Sequence, residues 1–256
     1  MLNMKSWDRR IWVLIGAVLV VCVAAFIYAW LFHDLPSLDE INTVPSLPSV
    51  QFTDRRGRLL YESLHADWGR QQYVNLDEIP NDLQAATIAT EDRYFYSNPG
   101  VDVVGIIRSA WINLQGGETI AGGSTITQQV VRNMLLEPDE RYERTLRRKL
   151  RESVLAWRLT QRFGKDEILE LYLNNMYYGG LSYGVDAAAR TYFGKQVSNL
   201  GLAECALIAG LPQAPSIYNP FSNPYAAEER QKVVLGLMEK QGYITAEENV
   251  LAGREQ

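Results

Sequence analysis

The feature that most constrains this chain is the run at residues 11–32, IWVLIGAVLVVCVAAFIYAWLF, which carries no charge over 22 positions. As a helix it is long enough to cross a hydrocarbon layer of roughly 30 Å. Lys5, Arg9 and Arg10 precede it, and Asp34, Asp39 and Glu40 follow. The excess of cations on the N-terminal side predicts residues 1–10 in the cytoplasm, a membrane span over 11–32, and the remainder outside. A cleaved signal peptide fits less well, because the run is long and no small-x-small site follows His33. Trp12, Tyr28 and Trp30 suit the two interfaces, though core aromatics would look the same.

Beyond the run, DLPSLDEINTVPSLPSV holds three prolines and no helical period, which predicts an extended linker over 33–50. FTDRRGRLLYE then places an Arg-Gly turn between apolar segments, the pattern of a short hairpin. From residue 81 the period is helical: segments 81–96, 124–136, 144–163, 165–178, 184–194, 199–211 and 226–242, with glycine and proline at the joins. One mainly α domain over 51–245 and a C-terminal tail over 246–256 are expected.

Charge limits the partners. Lys and Arg number 25 against 30 Asp and Glu, a net charge of -5, so no nucleic-acid partner is expected. The only cysteines, Cys22 and Cys205, lie in separate regions, and His33 and His65 lack further ligands at zinc-like spacing. No disulfide, zinc, heme or iron–sulfur site is expected.

Three segments can carry chemistry. In TEDRYFYSNPG, Glu91 and Asp92 stand together near the end of a helix that Asn81 caps and that Pro99 and Gly100 stop. Two carboxylates at the negative end of a helix dipole oppose each other's ionisation, which suits a general base; a surface pair neutralised by Arg93 reads equally simply. In AGGSTITQQVVRN, two glycines lead into a helix where Thr125 and Gln128 form a capping box. Thr125, Gln128 and Arg132 then make one polar stripe, opposite Ile126, Val130 and Met134, at a helix start suited to an anion. In RTLRRKLRESVLAWRL, Arg148 and Lys149 share a face with Glu152, while Leu146, Leu150, Val154 and Trp157 read as the core stripe. That cluster is either a surface salt bridge or a cationic seat for a diphosphate.

These segments, with KDEILELYLN at 165–174 and RQKVVL at 230–235, resemble in order and spacing the glycosyltransferase family 51 domain of class A penicillin-binding proteins and monofunctional peptidoglycan transglycosylases. The resemblance covers roughly residues 50–245. It implies a lysozyme-like helical fold with a small membrane-facing lobe at a bacterial cytoplasmic membrane. Lipid II and the growing lipid-linked glycan are the implied substrates, and other cell-wall synthesis proteins are further partners. Glu91 resembles the base that deprotonates the acceptor hydroxyl, and Glu152 the second catalytic carboxylate, by the donor diphosphate. Asp92, Phe95, Ser124, Thr125, Gln128, Gln129, Arg132, Asn133, Arg148, Lys149 and Asn174 match substrate-binding positions. No cofactor is required, with room for a divalent cation, Mg or Mn, at Glu152.

Two departures stand out. Asn98 takes the place where the family usually has histidine, and Arg132 the place of a frequent lysine. Neither a Ser-x-x-Lys nor a Lys-Thr-Gly element occurs, so no transpeptidase activity is expected of this chain. The stretch GVDVVGIIRSAWINL at 100–114 is apolar enough to dip into a bilayer surface or to form a core helix. Two other readings compete: a lysozyme-like lytic enzyme, and a membrane-tethered scaffold that binds lipid II without turning it over.

Overall fold

The computed structural model describes residues 4–42, 50–56, 59–63, 69–105, 124–143 and 145–255. Helix α1, Met4–Phe32, includes the apolar run, and every side chain from 11 to 30 is exposed. By length and composition it is able to cross a membrane. The hairpin expected after it is present: β1 (Val50–Thr53) pairs antiparallel with β2 (Leu59–Ser63). The segment expected to be extended is instead folded against the domain in part, since Leu38–Asn42 is a short 3₁₀ helix with Ile41 in the core.

The domain is mainly α, as the helical periods predict. The helices are α2 (Asn81–Glu91), α3 (Ile126–Met134), α4 (Pro138–Arg141), α5 (Leu146–Arg162), α6 (Lys165–Asn175), α7 (Val185–Phe193), α8 (Leu202–Gly210), α9 (Pro224–Lys240) and α10 (Ala246–Ala252). They pack in two groups. Helices α2, α8 and α9 each touch the other two, with the small residues Ala203, Ala206 and Ala209 of α8 allowing close approach. Helix α3 packs on both α5 and α6. A two-residue parallel pair, β3 (Arg70–Gln71) with β4 (Ser182–Tyr183), closes one edge. Asn174 braces it from α6: its amide donates to the Val74 and Glu170 carbonyls and accepts from the Val74 N–H, all at 2.9 Å.

Four local expectations are corrected. Asn81 is the first residue of α2, not its cap; Pro80 precedes it and no side chain caps the end. Helix α2 stops at Glu91, eight residues before Pro99, because Asp92 leaves helical geometry to bond with Asn98 and with the start of α3. Helix α5 is turned the other way from the expected stripe: Leu146, Leu150 and Trp157 are exposed, and Leu155, Ala156 and Leu159 form the core. The segment expected as a tail contains α10, started by a Thr245–Glu248 capping box. Of the apolar stretch at 100–114, Val103 and Val104 are exposed, and residues 106–114 lie outside the described residues, as do Gly122 and Gly123.

Candidate active site

Helix α3 starts where two neighbouring groups of polar residues meet. Its first turn is held by Thr125, whose Oγ1 accepts from the Gln128 N–H at 3.1 Å while Gln128 Oε1 accepts from the Thr125 N–H at 3.0 Å. The capping box is therefore as the sequence predicts. The anion expected at this helix start is supplied by the chain itself: Asp92 Oδ2 accepts from the Ile126 N–H at 3.2 Å.

Asp92 is held in turn by Asn98, whose amide donates to both carboxylate oxygens at 2.9 and 3.0 Å. Asn98 Oδ1 accepts from the Gly100 N–H at 2.9 Å and from Lys165 Nζ at 3.2 Å. Lys165 also lies 4.6 Å from the centre of the buried Phe95 ring. Gly100 has φ +92°, and an added Cβ would sit 2.4 Å from the Ala156 carbonyl of α5, so only glycine allows α5 to approach here. Within the turn after α2, Asp92, Asn98 and Gly100 thus form a buried strut, with the amide of Asn98 at its centre.

On one side of α3 stands Glu91. Gln129 Nε2 donates to its Oε2 at 2.7 Å. Glu91 keeps an exposed edge, yet loss of solvent raises its pKa, against the Gln129 hydrogen bond and the cations Arg230 and Arg132; Asp92 adds a smaller upward push. The raised pKa expected from a carboxylate pair is present, but burial, not the pairing, is its main cause. The hydroxyls of Tyr172 and Tyr178, fully buried and within electrostatic reach of Glu91, have no hydrogen-bond partner among the described residues. Asn133 donates to the Met176 sulfur at 2.9 Å.

On the other side lies a compact ionic cluster. Glu152 is wholly buried; Oε2 is 2.5 Å from Arg148 Nη1 and Oε1 is 3.3 Å from Lys149 Nζ. Lys149 Nζ also donates to Ser124 Oγ at 2.7 Å and lies 3.4 Å from Gln128 Oε1, and burial lowers its pKa. Gln128 Nε2 donates to Ser153 Oγ at 2.9 Å. Arg132 interacts electrostatically with both Glu91 and Lys149.

The structure therefore brings Glu91, Gln129 and Arg132 together, and Ser124, Arg148, Lys149 and Glu152 together. Thr125 and Gln128 do not form a surface stripe with Arg132: both are buried and bonded internally, as are Asp92 and Asn174, and Phe95 is buried in the core. A divalent ion at Glu152 fits poorly, since both carboxylate oxygens face cations. Three side chains near Glu91 escaped the sequence reading: Arg230, Tyr172 and Tyr178. RQKVVL and ELYLN hold Arg230 and Tyr172, but nothing in either segment signals a direction toward Glu91.

A transglycosylase family model matches residues 56–239. Penicillin-binding protein 1A of Aquifex aeolicus is 45% identical over 213 residues, 83% of this chain and 28% of that protein. Penicillin-binding protein 1A of Escherichia coli is 45% identical over 224 residues, 87% of this chain and 25% of that protein. Penicillin-binding protein 1A/1B of Bacillus subtilis is 42% identical over 233 residues, 91% and 25% respectively. The chain spans about a quarter of the length of these curated relatives. With the family's matched span covering most of the domain and both clusters, the chain belongs to the transglycosylase family.

Proposed function

We propose that the chain is a peptidoglycan glycosyltransferase that joins lipid II to a growing lipid-linked glycan through β-1,4 bonds, with inversion and release of undecaprenyl diphosphate. It works on the outer face of a bacterial cytoplasmic membrane, anchored by α1 with its N-terminus in the cytoplasm. The observation that carries this reading is the arrangement about α3: a desolvated carboxylate on a part-exposed residue, Glu91, on one side, and a cationic pair held by a buried carboxylate on the other.

In the reaction the acceptor 4-oxygen forms a bond to the donor anomeric carbon as the carbon–oxygen bond to diphosphate breaks. Glu91 takes the acceptor hydroxyl proton, a task for which its raised pKa is suited. Diphosphate leaves with the bond electrons and needs no proton; Arg148, Lys149 and Arg132 stabilise its charge. Glu152 fixes Arg148 and Lys149 in place and is itself an orienting group. Gln129 holds the Glu91 carboxylate in place through its hydrogen bond to Oε2.

The test is to give the protein labelled lipid II in vesicles and, separately, finished glycan strands. Long glycan with stoichiometric lipid diphosphate is expected from the first and no cleavage from the second. Fragments released from finished strands would instead mark a lytic enzyme, and lipid II binding without products a scaffold.

A further inference from the structure

Helix α1 is not a loose tether. Its last turn contains no basic residue, yet that end is gripped by cations from another element. Arg147 Nε donates to the Trp30 carbonyl at 3.2 Å, and its guanidinium lies 5.6 Å from the Trp30 ring centre. Arg147 and Arg151 both reach Asp34 Oδ1, at 3.2 and 2.5 Å, and Arg151 Nη2 also donates to the Asp34 carbonyl at 3.0 Å. Arg158 lies 5.8 Å from the Phe32 ring centre, and Arg162 pairs with Asp39.

These four arginines stand at i, i+4, i+11 and i+15 of α5, which puts them within about 60° of one another around the helix at ~100° per residue. They form one stripe running along the exit from α1. Arg151 is the member least exposed, at 3%, and it is held from its far side by Glu140 at 2.8 Å. It is also the residue immediately before Glu152. Arg147 and Arg151, which hold Asp34, therefore share the first two turns of α5 with Arg148, Lys149 and Glu152.

We propose that this arginine stripe is a clamp that fixes the diphosphate-facing cluster at a set height above the membrane, with Arg151, through Asp34, as the positioning residue. The inference rests on the functional reading above. A lipid-linked donor has its diphosphate held at headgroup depth by its own chain, so the cations that meet it must be held at the same depth. Cations held away from that depth bind the membrane-held donor more weakly, a loss of binding that raises KM and leaves kcat nearly unchanged. The Arg151 guanidinium keeps the Asp34 carboxyl below the usual carboxylate range, as expected of a formed ion pair.

Asp34→Asn is the informative variant, because Asp34 is more than half exposed and its loss leaves Arg151 paired with Glu140. Two substrates are compared: the long-chain lipid-linked disaccharide diphosphate in vesicles, and a short-chain, water-soluble analogue. The variant should raise KM for the vesicle substrate by about fivefold, the equilibrium factor for loss of a partly exposed pair worth ~1 kcal/mol. KM for the soluble analogue and kcat for both should change less than about twofold, and Asp34→Glu should restore the vesicle KM. Unchanged vesicle KM, or equal losses on both substrates, would overturn the clamp.

A second readout does not need turnover. A fluorophore on Tyr142→Cys, in a Cys22→Ser background with buried Cys205 left in place, is quenched by a headgroup-spin-labelled lipid. Asp34→Asn should change that quenching; an unchanged value overturns the proposal. A native chain that makes no glycan would count against the functional reading, while the quenching would still decide the clamp.

Discussion

Glu91 and Asp92 are adjacent and both lose solvent, but their surroundings give them different work. Asp92 accepts hydrogen bonds from Asn98 and Ile126 and is consumed by the fold; Glu91 keeps an open edge. A folded-state pKa above the unfolded one means that the folded protein binds the proton more tightly, so stability is lost as pH rises through the window between the two values. Glu91→Gln removes that cost. Its melting temperature at pH 7 should exceed that of the native chain by roughly 2–4 °C for each kcal/mol recovered, the gain disappearing in acid. Scanning calorimetry at several pH values checks this, and kcat/KM of the native chain should fall on acidification from a higher pH than for an ordinary carboxylate. Asn98→Ala should cost about 2 kcal/mol in chemical denaturation, because it strips two donors from a buried carboxylate. The carboxylate pair was visible in the sequence. Its division into a part-exposed carboxylate and a buried strut was not, since that depends on a backbone N–H 34 residues downstream.

Among the elements, α5 teaches most. A stripe of Leu146, Leu150, Val154 and Trp157 reads as the buried face by hydrophobic period alone, yet the helix buries Glu152, Arg151, Leu155, Ala156 and Leu159. The reason is that its inward face carries charged side chains satisfied by ion pairs with one another, with Asp34 and with Glu140, which a hydrophobic template scores as surface. Leu155→Ala should therefore destabilise the domain by about 2–5 kcal/mol. Leu150→Ala and Trp157→Ser should each cost under about 1 kcal/mol, the range of partly exposed sites away from the core. Denaturant titration of the three variants distinguishes the faces. Elements set by local chemistry were legible: the β1–β2 hairpin, the Thr125–Gln128 cap and seven of the helices. The end of α2 was not, because a side-chain strut stops it before proline does.

For the whole molecule, two groups of helices meet at Glu91, with α3 between it and the ionic cluster, and α1 is bound to the helix that carries that cluster. The apolar run and the helical class could be read from order and spacing, and so could the three segments whose polar side chains cluster about α3. The contact of α1 with α5 could not, since it joins residues more than 110 positions apart. In the proposed function Glu91 is the base of a glycosyl transfer whose diphosphate is met by Arg148 and Lys149. The direct measurement is glycan synthesis from labelled lipid II in vesicles by the native chain and by Glu91→Gln, with lipid II binding followed in parallel. The account predicts long glycan from the native chain and a rate at least about 100-fold lower from the variant, with binding retained. Comparable synthesis by Glu91→Gln would contradict it.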